Sequence, residues 1–363
     1  MKNSFGQNLI VTIFGESHGS AIGVVLDGLA PGMEVDEAFL ASQLTLRRPA
    51  GKLGTARREE DHFSILSGVF EGRTTGTSLC ITIPNEDTRS RDYAATRSLA
   101  RPGHADFTAY AKYHGFEDYR GGGHFSGRLT AALVAAGAVV IPALRKKGIR
   151  IGTHISRCGG IQDRPFGDLE QDLEQLNQAE FAVLDNSAAD AMRQRILAAA
   201  EAGDSVGGVL ETAILGLRAG LGEPWFDTVE GLLSHALFSI PAVKGIQFGD
   251  AFDLADAMGS QFNDPFYMED GQVRTSTNHN GGVNGGITNG MPVTFRCMVK
   301  PTPSIFRSQQ TVDFLNNQDA ELQLTGRHDP AIIHRARVVV DSMTALVVAD
   351  LLTGRFGTDY LGG

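Results

Sequence analysis

The sequence is short of cysteine, of net positive charge and of long hydrophobic runs, and each shortage closes off a class of explanation. Its three cysteines, Cys80, Cys158 and Cys297, are odd in number, far apart and without metal-ligand spacing. That speaks against a disulfide framework and a metal site, and reduced thiols in the cytoplasm are the simplest reading. A net charge of −10 argues against nucleic acid as the main partner. The longest weakly polar run, Thr130 to Leu144, is short for a bilayer and contains Gly137 and Pro142, so no membrane association is expected. Met1-Lys2-Asn3-Ser4 begins no apolar secretory leader. No Pro/Ser-rich linker, low-complexity tract or short tandem repeat divides the chain, and one domain over residues 1–363 is expected.

Glycine, by contrast, is abundant. The 44 glycines cluster in short runs, the mark of tight turns or of backbone that approaches a ligand closely. Hydrophobic residues at 42% and charged residues at 20% are ordinary globular values, so a sizeable core is expected. Charge is unevenly spread. Residues 45–130 hold 13 Lys/Arg against 10 Asp/Glu, leaving 19 against 32 elsewhere. A basic region in an acidic protein suits an anion site, although a solvated surface explains it equally well.

The residue pattern predicts strands over 9–14, 63–70, 78–83, 207–217, 242–249 and 292–299, with a Gly/Thr turn at 72–77. Helices are predicted from Asp36 as N-cap through Leu44, and over 105–114, 126–146 and 187–202, the last stopped by Gly203. A short helix is predicted after Asp227, and a helical apolar pattern runs from Ala331 to Leu352. The mixture reads as one α/β or α+β domain.

Four constellations carry potential chemistry. Gly15-Glu16-Ser17-His18-Gly19 follows the first strand and has the form of a nucleophile elbow. Only 14 residues precede it, too few for the strands that a serine hydrolase of that fold builds first. What remains is a glycine-flanked histidine at a strand end, able to titrate near neutral pH; an ordinary turn with an exposed histidine is an equal reading. Arg101-Pro102-Gly103-His104-Ala105-Asp106 sits at a predicted helix start, where the dipole favours anions and a neutral imidazole, and Asp106 could orient the ring. A plain helix cap with a salt bridge explains it too. Tyr119-Arg120-Gly121-Gly122-Gly123-His124-Phe125-Ser126-Gly127-Arg128 lets backbone amides approach a phosphate, yet matches neither a P-loop nor a dinucleotide fingerprint. Arg327-His328-Asp329-Pro330 holds a carboxylate between Arg and His that could serve as a base, or form a simple turn.

In this order the four constellations resemble the chorismate synthase family. So do the segments Ser64–Thr77, Ile240–Gly245, Asn278–Gly282 and Lys300–Ser304, and the similarity runs from Gly6 to about Asp350. The resemblance implies an α+β fold, a β-α-β sandwich with helices layered between antiparallel β-sheets, assembled as a homotetramer. It implies 1,4-anti elimination of phosphate from 5-enolpyruvylshikimate 3-phosphate to give chorismate, with reduced FMN as cofactor and, in some members, NADPH as its reductant. By motif match, His18 protonates the departing phosphate, His104 holds or protonates the reduced flavin, and Asp329 manages the N5 proton. Ser17, Arg47, Arg48, Arg101, Arg128 and Arg327 would bind the anionic substrate. His124, Phe125, Ser126, Ala242, Gly285, Lys300, Pro301, Thr302, Pro303, Ser304 and Arg327 fall in segments that would contact FMN.

The chain also departs from the family pattern. His124-Phe125-Ser126 replaces Arg-Ser-Ser, and Gly127-Arg128-Leu129-Thr130 replaces Ala-Arg-Glu-Thr. Leu46-Arg47-Arg48 stands for three arginines, Lys52 for a further one, and Asp341 for a glutamate. Two other readings stay open: an FMN-dependent oxidoreductase reusing the site with another substrate, and a non-catalytic binding protein descended from the enzyme. The retained His18, His104 and Asp329 argue against the latter.

Overall fold

A computed structural model describes residues 2–48, 53, 60–86, 97–324 and 329–362. The first part of the chain builds one antiparallel sheet. β1 (Ser4–Phe5), β2 (Ile10–Gly15) and β3 (Ala21–Asp27) are followed by α1 (Glu37–Arg47), whose N-cap Asp36 accepts from the Phe39 amide. Then come β4 (Ser64–Ser67), a small hairpin of β5 (Val69–Phe70) and β6 (Arg73–Thr74), and β7 (Leu79–Pro84). The sheet order is β1-β2-β3-β7-β4, with Ile22, Val24, Leu26, Leu79, Ile81 and Ile83 facing the core.

After α2 (Asp106–Tyr113) the backbone makes two short 3-10 turns, Arg120–Phe125 and Gly127–Leu129, and enters α3 (Thr130–Lys146). The second half contains β8 (Arg150–Cys158), β9 (Ile161–Gln162), α4 (Leu169–Gln178), α5 (Asn186–Glu201), β10 (Gly208–Leu215), α6 (Val229–Leu237), β11 (Val243–Phe248) and the single turn α7 (Gly259–Phe262). Hairpins β12 (Phe266–Glu269) with β13 (Gln272–Thr275) and β14 (Val283–Asn284) with β15 (Ile287–Thr288) precede β16 (Val293–Val299). The hairpin of β17 (Gln309–Asp313) and β18 (Gln318–Leu322) precedes α8 (Ile333–Phe356). The second sheet runs β11-β16-β10-β8-β9, again antiparallel.

Helices α3 and α8 lie between the two sheets, α3 against β2, β3 and β7 and α8 against β8 and β10. Both are apolar around most of their circumference, as a helix covered on every side must be. They meet at Gly137, where a Cβ would stand 2.3 Å from that of Ser342, so any larger residue would push the central pair apart. The expected α+β sandwich is the observed one. The segment Gly127–Lys146 is long and apolar enough for a membrane span, but 89% of it is buried within the fold. Enclosure by two sheets, rather than the shortness read from the sequence, explains its composition.

The middle layer also holds charge. Asp341, the departure on α8, is fully buried and accepts from the Thr153 hydroxyl at 2.6 Å and from Arg337 at 3.1 Å. Burial pushes its carboxyl above the ordinary range against the pull of Arg337. It ties α8 to β8 and sits in the core rather than among the loop residues considered below.

Candidate active site

The end of β2, the turn Glu16–Gly19, the glycine loop 121–123 and the entry to α2 form one constellation. Gly121, Gly122 and Gly123 all have positive φ, at 60°, 84° and 52°. The reason is proximity as well as backbone. A Cβ on Gly121 would stand 2.2 Å from Cε1 of His18, and one on Gly122 would stand 3.3 Å from Cε1 of His104. The loop thus touches both candidate imidazoles, which lie 86 residues apart in sequence.

His18 is held through its neighbours. Ser17 is fully buried, its amide donates to the Gly123 carbonyl at 3.1 Å, and its hydroxyl lies 3.2 Å from Nδ1 of His18. When that hydroxyl donates to Nδ1, the neutral ring carries its proton on Nε2. His124, one of the departures, donates from Nδ1 to the Gly15 carbonyl at 2.8 Å and so binds the glycine loop to the end of β2.

His104 is oriented by Asp106, as the spacing suggested. Its Nδ1 lies 2.8 Å from Oδ1 of Asp106, and Arg101 grips the same carboxylate with Nε at 2.8 Å and Nη2 at 2.7 Å. Burial alone would raise the Asp106 carboxyl, but the bonds from Arg101 and His104 prevail and hold it well below the usual carboxylate range. An ionised Asp106 only accepts, so Nδ1 carries a proton and Nε2 is the exchangeable nitrogen, near Gly122. Arg101 Nη1 also reaches Ser304 Oγ at 3.5 Å.

Ser304 brings in the C-terminal half. It shares a cavity of about 40 Å³ with Gly203, Asp204, Phe306, Asp329 and Pro330. Asp329 is largely buried and pairs with Arg335 at 3.1 Å. Lys300 donates from Nζ to the Gly103 carbonyl, and its amide donates to the carbonyl of Ala242, a non-glycine residue at φ 75°. Pro303 stands against Gly103 and Pro301 against Gly207. The Thr302 hydroxyl is buried with no hydrogen-bond partner among the described residues, a donor and acceptor left over for a ligand. That orphan, beside Lys300 and Ser304, makes this segment fit the flavin expected from the resemblance.

The remaining expected residues are spread more widely. Ser126 caps the second 3-10 turn, its hydroxyl accepting from the Arg128 amide, and Phe125 packs edge-on against Tyr113. Gly285 is exposed on a separate turn, whose neighbour Gly286 accepts from the Val229 amide at the start of α6. Arg48 donates to Thr45, and its Nε is buried without a partner among the described residues. Arg327, His328 and Lys52 lie outside the described residues. Arg47 and Arg128 both point to Asp61, a fully buried carboxylate that no local motif marks: Arg47 Nη2 lies 2.8 Å away and Arg128 Nη1 is in direct contact. Burial would raise the Asp61 carboxyl, and the two guanidiniums lower it instead. Arg128 also donates to Asn85 Oδ1 at 3.0 Å and to the Pro84 carbonyl at 2.9 Å.

A much larger cavity, about 450 Å³, opens on the second sheet among Arg157, Asp163, Arg164, Glu211, Asp253 and Arg296. None of the expected site residues that are described lines it, and Arg296 is paired with Glu211 and Asp253 and Arg164 with Asp172. Size alone does not make it the reactive centre.

Comparison with known proteins points the same way as this geometry. The family model described as chorismate synthase matches residues 9–353. A chorismate synthase of Dehalococcoides mccartyi is 45% identical over 354 residues, covering 97% of this chain and 96% of that one. One from Thermococcus kodakarensis is 45% identical over 350 residues, covering 96% and 97%. One from Methanosarcina mazei is 46% identical over 349 residues, covering 96% and 95%. A solved structure titled "Crystal Structure of Chorismate Synthase" superposes with a TM-score of 0.76 at 28% identity, covering 98% of this chain and 94% of that one.

Proposed function

The chain belongs to the chorismate synthase family, and on that premise we propose how its own residues carry the family's reaction. The enzyme is a lyase acting on a small molecule: it eliminates phosphate from 5-enolpyruvylshikimate 3-phosphate to form chorismate, the last step of the shikimate pathway. The family's reaction requires a reduced flavin although it involves no net redox change. The observation that supports our assignment of residues is the convergence of His18 and His104 on consecutive glycines of one loop.

We take the flavin to be FMN. When bound, reduced FMN supplies electron density and a site for the C6 hydrogen, which no simple side-chain base removes easily. Lys300, Pro301, Thr302, Pro303 and Ser304 would hold it, with contributions from His124, Phe125, Ser126, Ala242, Gly285 and Arg327. His18 donates its proton to the departing phosphate, and Ser17 fixes which ring nitrogen carries it. With the flavin bound, His104, locked by Asp106, would present Nε2 towards it, and Asp329 would serve as the proton acceptor beside it. Arg47, Arg48, Arg101, Arg128 and Arg327 neutralise the substrate's two carboxylates and its phosphate through charge-assisted bonds. We further propose a cytoplasmic homotetramer, with NADPH as the physiological reductant of its flavin. Neither an oxidoreductase role nor a non-catalytic one is favoured by any feature of the site.

Replacement of His18 by Ala, His104 by Ala and Asp329 by Asn tests the roles one at a time under anaerobic conditions. Each variant should fold and still bind FMN, with kcat lowered by roughly 100-fold or more. A variant with unchanged kcat removes its residue from this assignment.

A further inference from the structure

The turn that carries His18 is fastened from outside by a side chain with no role in the scheme above. Asn85 follows β7 directly and is half-buried. Its Nδ2 donates to the Glu16 carbonyl at 2.9 Å and to the Gly19 carbonyl at 3.0 Å, the two ends of the turn. Its Oδ1 accepts from Nε of Arg128 at 3.0 Å, and its amide donates to the Ser20 carbonyl at 3.1 Å. The side-chain orientation follows from chemistry, because two carbonyls require the NH₂ end and a guanidinium requires the oxygen. Arg128 is in turn fixed by Asp61, which also holds Arg47 at the end of α1.

These contacts form a continuous connection: Arg47, Asp61, Arg128, Asn85, the Glu16–Gly19 turn, His18. Arg47, Asp61 and Arg128 are buried and charged, the kind of cluster whose geometry changes little because an unpaired member is costly. On the opposite side the turn is fastened by the Ser17 amide to Gly123 and by His124 to Gly15. The glycine loop touches the His18 ring, while Asn85 holds the backbone beneath it.

We propose that Asn85 is a positioning residue for the elimination: it spans the Glu16–Gly19 turn and sets the place of His18 relative to the departing phosphate. This rests on the assignment of His18 as proton donor. Proton transfer is sensitive to placement, and a shift of about 1 Å can cost roughly 100-fold in rate. The two hydrogen bonds to the turn, not the one to Arg128, carry the effect. Asn85→Asp separates them, because a carboxylate still accepts from Arg128 but cannot donate to either carbonyl.

The test compares Asn85→Ala, Asn85→Asp, His18→Ala and the double variant H18A/N85A, using the full-length enzyme with reduced FMN. N85A and N85D should each lower kcat about 10- to 100-fold while substrate KM and FMN affinity move less than about threefold. In the H18A background, N85A should cost little more, because a positioning residue has nothing left to position. The ¹⁵N resonances of the His18 imidazole, followed against pH, should shift in N85D without a comparable change in His104. Multiplication of the two single effects, with H18A itself impaired, would overturn the role of Asn85 and leave His18 in place. Wild-type turnover by H18A would overturn both. Wild-type turnover by N85D would assign the effect to the Arg128 contact and contradict the proposal. If N85A fails to fold, N85D and the resonance shift decide alone.

Discussion

At the scale of single residues, the glycine loop makes the sharpest demand. Gly121→Ala places a methyl against the His18 ring on a backbone at φ 60°, so either the ring or the loop must move. The expected result is a kcat reduced by about 100-fold with only a modest loss of melting temperature, measured on the same preparation. Asp106→Asn removes the anion that fixes the proton on Nδ1 of His104 and that Arg101 grips. Its kcat should fall by about 10- to 100-fold in the same anaerobic assay, because His104 loses the charged acceptor that fixes its ring and Arg101 loses its ion-pair partner. Much of this site could be read in the residues. His18, His104, Asp106 and the triple glycine each stood out, and only their order in the chain lifted them above ordinary turns. Asp61 and Asn85 could not be read, because a buried carboxylate or amide acquires its meaning from partners 14 to 69 positions away. His124 was visible only as a departure, and its hydrogen bond to Gly15 is a fact of folding that no spacing announces.

At the scale of elements, buried histidines in two places should make stability depend on pH in opposite directions. His154 on β8 is fully buried between Asp163 at 2.7 Å and Glu211 at 2.9 Å. Burial lowers its proton affinity, but the two carboxylates prevail and raise it above the ordinary value of 6.5. Its contribution is therefore complete below about pH 6.5 and lost as pH rises through the raised folded-state value. His154→Gln should destabilise the fold by roughly 3 kcal/mol, most strongly on the acid side, as read from denaturant melts between pH 5 and 9. His334 at the start of α8 is buried with neither ring nitrogen partnered among the described residues, and burial, helped by Arg335, pushes it down to about 3. The unfolded chain then binds a proton that the folded chain refuses, so stability is lost as pH falls below about 6.5. His334→Leu should flatten the loss of melting temperature between pH 7 and 5; an unchanged slope would contradict this account.

The elements also show what sequence patterning resolves. Strands β2, β7, β10, β11 and β16 and helices α1, α2, α3, α5, α6 and α8 were legible within a few residues, because each carries a clear period or cap. The predicted helix from Ser126 begins instead with a 3-10 turn, since Ser126 is extended and caps Arg128. Strand β8 was not legible. Its Arg-Ile-Gly-Thr-His-Ile-Ser-Arg-Cys sequence buries Thr153 and His154, whose partners lie on β10, α8 and the Asp163 loop. The amphipathic α4 and the hairpins of β12–β13 and β17–β18 also escaped. The hairpins are short, β12 exposing its Phe266, Tyr267 and Met268, and β17 is fixed by the Ala100 segment more than 200 residues earlier.

At the scale of the whole molecule, the β-α-β sandwich places the two imidazole loops and the Lys300–Ser304 segment together through contacts between halves of the chain. A homotetramer should sediment as four copies of the 38.8 kDa chain; a monomer active at assay concentration would remove assembly from the account. The most direct test of the whole is anaerobic turnover of 5-enolpyruvylshikimate 3-phosphate with dithionite-reduced FMN, recording chorismate absorbance and phosphate together. The account predicts equal appearance of both products with reduced flavin and neither with oxidised flavin. Folded, FMN-binding protein that releases no phosphate, or that consumes NADPH in proportion to substrate, would contradict it.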